Sequence, residues 1–309
     1  MTEPRPKGAV ILPLVMLSIK EAVARIRSGE LVAFPTETVY GLGANTLDAA
    51  AVAKIYELKG RPAASPLIVH VSSIEMAKTL VTAWPQQAEA LARRYWPGPL
   101  TLVLPKAPVI AGIVTAGLPT VGIRMPDHPV ALELITGAGV PIAAPSANKF
   151  TGLSPTTADH VRNAFGDAVP VLDGGPCQVG IESTVVAVED SGVRLLRPGM
   201  IAFPEIERAA APAGAHPAPG MHARHYSPRT PMTLSAEPDP RGAYVWIARP
   251  VAAARTIQMP LDAPAYATRI YGVLHELDAE GWPSITVEPP PDTIEWAAIL
   301  DRLRRAANQ

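Results

Sequence analysis

One cysteine, Cys177, stands in 309 residues, which excludes an intramolecular disulfide framework and any cysteine-rich metal cluster and fits a reducing compartment. Cys177 itself reads as a small buried residue. An excess of either charge is also missing. With 27 basic and 28 acidic residues the net charge is -1, so no global field favours a nucleic-acid backbone and any positive site must be local. A long apolar run is absent too. Residues 9–17 are interrupted by Pro13, are preceded by Glu3, Arg5 and Lys7, and are too short to span a bilayer, so no membrane association and a cytoplasmic location are expected. No GxxxxGK(S/T), HExxH, GxSxG or CxxC occurs, and YGLGAN from Tyr40 does not complete a dinucleotide fingerprint, so a nucleotide site here would be non-standard. His222 and His225 have no cysteine or second cluster near them and read as ordinary linker histidines rather than a metal pair.

Proline, by contrast, is abundant at 35 residues, gathered at strand ends and beyond residue 203, which predicts rigid loops and an extended linker. The chain is organised around Pro35 to Val71. A short apolar strand, Leu31 to Phe34, is ended by Pro35, and Thr36, Glu37 and Thr38 then place polar groups where α/β proteins keep their sites. Gly41 and Gly43 are expected to let the chain turn tightly. A helix from about Asp48 to Leu58 buries Val52, Ile55 and Tyr56 and stops at Gly60, which leaves Lys59 and Arg61 at its end. Pro66 to Val71 is a second apolar strand that carries His70.

Ser18 and Glu21 form a capping box for a first helix closed by Gly29. Ile74 to Val81 and Gln87 to Tyr95 read as helices separated by Pro85, and a strand follows Trp96. Arg93 and Arg94 read as a solvated pair. Thr120 to Met125 is a strand containing Arg124, and an arginine there needs an anion. Pro141 to Asn148 runs from apolar into small polar residues. Thr151 to Thr157 is a loop able to offer hydroxyls and N–H groups to phosphates, before a helix that includes His160 to Phe165. Ala168 to Leu172, Ser183 to Val188 and Val193 to Leu196 are predicted strands, the first demoted to an edge by Pro170. Residues 199–228 lose periodicity and read as a linker. Beyond them Met232 to Leu234, Tyr244 to Ala248, Thr256 to Met259 and Ser284 to Val287 alternate with a helix faced by Tyr266, Ile270, Val273, Leu274 and Leu277, and Asp292 to Ala307 closes the chain as a helix. This is a small parallel α/β domain.

Taken singly, Lys59, Arg61, Arg124 and Arg197 are ordinary surface cations, Ser146 and Asn148 a turn, and His70 a core histidine. Together, at strand and helix ends that an α/β fold collects along one edge, the four cations are better explained as an anion site for a polyphosphate.

PTETVYGLG from Pro35, KGRP-x3-PLIVHV from Lys59 and PSAN from Pro145 resemble the YrdC family, the threonylcarbamoyl-AMP synthases of tRNA modification, over roughly Gly29 to Pro198. PGM-x3-HYSP, Pro219 to Pro228, resembles the link that marks the family's longer, two-domain branch. The resemblance implies an α/β fold with a YrdC-like twisted mixed sheet over residues 8–205, a linker over the active site at 206–229, and a smaller Rossmann-like parallel α/β domain at 230–309. It implies synthesis of L-threonylcarbamoyladenylate and pyrophosphate from L-threonine, bicarbonate or CO2, and ATP, with Mg2+ carried by ATP. By position, Lys59, Arg61, Ser146 and Asn148 match the KxR and SxN signature. Arg61, Ser65, Thr120, Ser146, Ser154, Arg197 and Tyr226 fall on ATP-contact positions, and Thr38, His70, Arg124, Ala144 and Ser183 on threonine-contact positions. The implied partners are a downstream tRNA threonylcarbamoyl transferase and weakly bound RNA. Two other readings stand beside this one. A double-stranded RNA-binding module is disfavoured by near-neutral charge, and a carbamoyltransferase of hydrogenase maturation by the missing zinc-finger and acylphosphatase modules.

Overall fold

The computed structural model describes residues 17–203 and 225–307. The apolar run as far as Met16 and most of the expected linker, with Pro219, Met221 and His222, lie outside the described residues.

Twelve strands in two sheets carry the described fold. The first sheet contains β1 (Val32–Phe34), β2 (Gly41–Asn45), β3 (Ile68–His70), β4 (Leu100–Pro105), β5 (Thr120–Arg124), β6 (Ile142–Ala143), β7 (Thr184–Glu189) and β8 (Gly192–Arg197), in the order β1-β2-β6-β3-β5-β4-β7-β8. It is mixed: β3 with β5 and β4 with β7 run parallel, and the other neighbours are antiparallel. The second contains β9 (Met232–Leu234), β10 (Ala243–Trp246), β11 (Arg255–Gln258) and β12 (Ile285–Val287), in the order β11-β10-β12-β9, and is wholly parallel. The helices are α1 (Ile19–Arg27), α2 (Ala49–Lys59), α3 (Ile74–Lys78), α4 (Gln86–Tyr95), α5 (Gly112–Thr115), α6 (Pro129–Ala138), α7 (Ala158–Phe165), α8 (Ala263–Glu280) and α9 (Ala297–Ala307). None is long and apolar enough to cross a membrane among the described residues.

Local signals act as physical chemistry requires. Ser18 caps α1 through the Glu21 amide while the Glu21 carboxylate accepts from the Ser18 amide. Gly60 closes α2 in the left-handed conformation, φ 64°. On α8 the five residues anticipated for the apolar face are all buried. The second core also takes in Val39, Leu153, Ile181 and Tyr226, so it spans the joint between the two sheets.

Several expectations need correction. Gly41 and Gly43 make no tight turn; they lie in β2. A Cβ on Gly43 would stand 2.8 Å from Phe34 Cε1 and 2.9 Å from Ile142 Cγ2, so glycine there serves close packing of β2 against its neighbours. Residues 168–172 form no strand. A 3-10 turn, Gly166–Ala168, leads to a single parallel bridge between Ala33 and Val171, and the Pro170 carbonyl accepts from the Ala33 amide. The helix from Ile74 ends at Lys78, and the strand expected from Pro141 is reduced to Ile142–Ala143. The chain's last helix is preceded by a 3-10 turn, Ile294–Trp296. Helix α6 was not anticipated beyond the loop before it; Pro129 opens it, and Ala131, Leu134 and Ile135 bury against Ala22 and Ile26 of α1.

Candidate active site

A cleft opens at the ends of β1, β3, β5 and β6. Thr38, Arg61, His70, Arg124, Ala144, Ser146, Ser183, Arg197 and Tyr226 line it, all residues singled out from the sequence.

One half is built on β3 and β5. The anion that Arg124 needs is Glu37. The two side chains, each 5 % exposed, meet at 2.5 Å in an ion pair whose geometry falls short of a directed hydrogen bond. Arg124 Nη1 also donates to Thr38 Oγ1 (2.9 Å) and its Nε to the Gly98 carbonyl (3.3 Å). After Pro35 ends β1, Thr36 Oγ1 accepts from the amides of Thr38 and Val39 and gives its proton to the Val39 carbonyl (2.7 Å), so the Thr38 hydroxyl is the donor in their 2.9 Å contact. The chain Arg124 to Thr38 to Thr36 to Val39 thereby fixes the guanidinium. His70 is pushed down to about 3 by burial and by Arg124, and is a neutral imidazole whose Nδ1 has no hydrogen-bond partner among the described residues.

The turn after β6 is held from behind. Lys59, the last residue of α2, donates its Nζ to the carbonyls of Ser146 (2.6 Å) and Asn148. Asn148 Nδ2 donates to Lys149 O and Gly152 O (2.7 and 2.9 Å). Burial, then Arg61 and Lys149, lower the Lys59 pKa well below the ordinary lysine value, so its contribution lies in these hydrogen bonds more than in a bare charge. Arg61 bends back through Gly60, donates to the Pro66 carbonyl (3.1 Å), and lies 5.9 Å over the Phe150 ring. Lys59 and Asn148 thus sit behind the cleft wall and shape it. Ser65 also lies behind the wall, its carbonyl accepting from the Tyr56 hydroxyl (3.0 Å).

The other half joins both sheets. Arg197, at the end of β8, donates to Ser183 O and Oγ at 3.0–3.1 Å, and Ser183 Oγ meets Thr101 Oγ1 at 2.8 Å. Ser154 is one bond back from the cleft, donating to Glu182 Oε1 at 2.5 Å. Glu182 lines the cleft and accepts from Arg302 Nε of α9 (2.8 Å) and the Tyr271 hydroxyl of α8 (3.2 Å). Burial opposes its ionisation, but Arg302 and Arg197 overcome this and hold the carboxyl below its usual range. Thr120 stands apart. It borders a neighbouring groove over the sheet with Val103, Gly122 and Val185, and Ile68 borders both spaces.

Tyr226 covers this half, 1 % exposed and at φ 62°, a backbone conformation strained for a bulky residue. Both sides pin it: the Ser227 amide donates to Thr151 O (2.9 Å) and the His225 amide to Arg305 O (3.3 Å). Its hydroxyl has no hydrogen-bond partner among the described residues. Helix α8 seats beside it on Gly180, φ 81°, where a Cβ would stand 2.5 Å from Thr268 Cα and closer still to the Ala267 carbonyl oxygen. His275 Nε2 donates to Ser154 O (3.1 Å), and its ring stacks 3.8 Å from that of His160.

Sequence reasoning placed Glu37 at a strand end without giving it a role, and it missed Glu182, Tyr271 and Arg302. Glu182 carried the one available signal, an acidic residue beside Ser183. Among the described residues no group of three His, Cys, Asp or Glu side chains is placed to hold a metal.

Residues 24–199 match the Sua5, YciO and YrdC family profile, described as "Telomere recombination", and residues 196–308 match "Threonylcarbamoyl-AMP synthase, C-terminal domain". The chain is 40% identical over 320 aligned positions to a threonylcarbamoyl-AMP synthase of Bacillus subtilis (strain 168), covering 94% of this chain and 92% of that protein. To a threonylcarbamoyl-AMP synthase of Pyrococcus abyssi (strain GE5 / Orsay) it is 48% identical over 232, covering 71% and 68%. The crystal structure of P. abyssi Sua5 complexed with L-threonine superposes with a TM-score of 0.88 at 38% identity, covering 94% of each chain.

Proposed function

Because the chain belongs to the Sua5, YciO and YrdC family, we propose that this cleft makes L-threonylcarbamoyladenylate and pyrophosphate from L-threonine, bicarbonate or CO2, and ATP, as a nucleotidyltransferase. The observation that carries the reading is the division of one cleft into two halves. One has a fixed guanidinium beside a neutral imidazole and suits an amino acid; the other has Arg61 and Arg197 under an aromatic cover and suits a nucleotide.

Arg124, held by Glu37, Thr38 and Gly98, offers its remaining N–H groups to the threonine carboxylate. His70, being neutral, accepts through Nδ1 from the threonine hydroxyl, and the Ala144 backbone and Ser183 complete that wall. The threonine amine adds to bicarbonate with loss of water and becomes a carbamate. A carbamate oxygen then attacks the α-phosphorus as the bond to pyrophosphate breaks, with Arg61 and Arg197 stabilising the oxygens that gain charge. No covalent bond to the protein is required. Ser146 offers its hydroxyl to the nucleotide, Ser154 acts from behind the wall through Glu182, and Thr120 lies in the neighbouring groove that meets the cleft at Ile68. Tyr226 shields the product, a mixed anhydride prone to hydrolysis, from water.

Among the described residues both carboxylates near the reacting groups are engaged by arginines, Glu37 by Arg124 and Glu182 by Arg302, and no protein ligand set for Mg2+ is formed there. Magnesium would enter on the ATP phosphates and neutralise them. The product is an activated carbamoyl donor for the N6 of a tRNA adenosine, which calls for a separate threonylcarbamoyl transferase; RNA contact by this chain would be weak at net charge -1.

Incubation of the full chain with ATP, Mg2+, threonine and bicarbonate should release pyrophosphate and yield the adenylate by mass spectrometry, with each of the three substrates required. Pyrophosphate release independent of threonine, or release of orthophosphate alone, would refute the reading.

A further inference from the structure

Arg302 is buried, its side chain 2 % exposed, and lies in a helix of the second sheet's domain, yet its guanidinium fans out over three segments of the nucleotide half. Nε donates to Glu182 Oε2 (2.8 Å), Nη2 to Glu182 O (3.3 Å) and Nη1 to Pro198 O (2.9 Å), while the guanidinium carbon stands 5.4 Å from the centroid of the Tyr226 ring. Glu182 orients Ser154 and precedes Ser183, Pro198 follows Arg197, and Tyr226 is the cover. One side chain therefore touches three of the segments that supply this half, those of Glu182, Pro198 and Tyr226.

The charge sign adds a second argument. Glu182 lines the cleft, and an unpaired carboxylate there would repel a triphosphate and work against Arg61 and Arg197. Arg302 Nε donates to Glu182 Oε2, the Tyr271 hydroxyl lies within reach of both carboxylate oxygens (3.2 Å from Oε2, 3.4 Å from Oε1), and Oε1 accepts the Ser154 proton at 2.5 Å. The second domain turns an adverse charge into a hydrogen-bond acceptor with a fixed direction. A lysine could not replace this, because a point charge cannot reach Glu182 Oε2, Glu182 O and Pro198 O at once.

We propose that Arg302, seconded by Tyr271, is a positioning residue for ATP, and that supplying this pair is a catalytic duty of the second domain. The inference rests on the nucleotide reading given above and extends it to residues outside the first sheet.

The test uses full-length wild-type, Arg302→Lys and Tyr271→Phe proteins, with circular dichroism and thermal melts to verify folding and initial rates of pyrophosphate release against ATP and against threonine. Arg302→Lys should raise the KM for ATP about tenfold or more and Tyr271→Phe about threefold, while the KM for threonine stays within about twofold. A Tyr226→Ala change should cost less in the Arg302→Lys background than alone, since both act on one cover. If Arg302→Lys does not fold, Tyr271→Phe, which removes one hydroxyl and keeps the ring, decides. A wild-type chain that releases no threonine-dependent pyrophosphate would instead overturn the proposed function itself. An active wild type, with folded variants that keep the wild-type KM for ATP or that raise both KM values equally, overturns the role of Arg302.

Discussion

His70 and Arg124 stand opposite one another in register on the parallel strands β3 and β5. Parallel pairing sends both side chains to the same face, so an imidazole and a guanidinium share one wall of the cleft, and the cation helps burial keep the imidazole neutral.

A pH dependence of stability follows from this pair. The unfolded chain takes up the His70 proton near pH 6.5, whereas the folded protein resists it down to about 3. The unfolded state therefore binds more protons in that window. The contribution is complete above 6.5 and is lost as the pH falls towards 3, by up to about 1.4 kcal/mol per pH unit. Urea melts between pH 7.5 and 4.5 should show a shallower loss for His70→Gln than for the wild type; equal slopes would refute it.

Glu37→Gln keeps the shape but leaves the buried Arg124 guanidinium without its counter-charge. Breaking a buried pair from one side costs about 3–5 kcal/mol, so the melting temperature should drop. A threonine carboxylate then becomes the replacement anion, and the rise in melting temperature on adding threonine should be larger in the variant than in the wild type. A smaller rise would count against Arg124 as the carboxylate site.

Tyr226→Phe should leave the protein as stable as the wild type or about 1 kcal/mol more stable, because the hydroxyl removed is buried without a partner among the described residues. The KM for ATP should rise about threefold or more if that hydroxyl serves the nucleotide. A variant that loses stability would show the phenol to be structural.

Gly180→Ala sets a methyl group into the backbone of α8 at Ala267 and Thr268, at a position already at φ 81°. A destabilisation of at least about 1–3 kcal/mol is expected from overpacking alone. Because α8 carries Tyr271 and His275, it should come with a raised KM for ATP. Retention of wild-type stability and KM would show that the helix can shift without consequence.

Lys59→Met removes the donors that hold Ser146 O and Asn148 O, and Arg61→Ala removes a cation from the cleft wall. Each should lower pyrophosphate release by about 10²–10³-fold with the circular dichroism spectrum retained. Turnover near that of the wild type in either variant removes that residue from the site.

What the sequence determined by itself is what depends on near neighbours. Ser18 with Glu21, Asp48, Gly60, and the three- and four-residue spacing on α8 carry their outcome locally, because capping and amphipathic burial involve residues within one or two turns. The motifs also named most of the residues that line the cleft. Tertiary structure alone decided the strand order of the mixed sheet, the packing role of Gly43 and the existence of α6, which rest on pairings and contacts between distant segments. It also decided who answers each buried charge. That Arg124 needed an anion was legible, because an unpaired guanidinium in a strand is costly; that Glu37 supplies it was not. Glu182 and Arg302 lie 120 residues apart with no local pattern between them, and they pair because folding buries both in one place, where each must find the opposite charge.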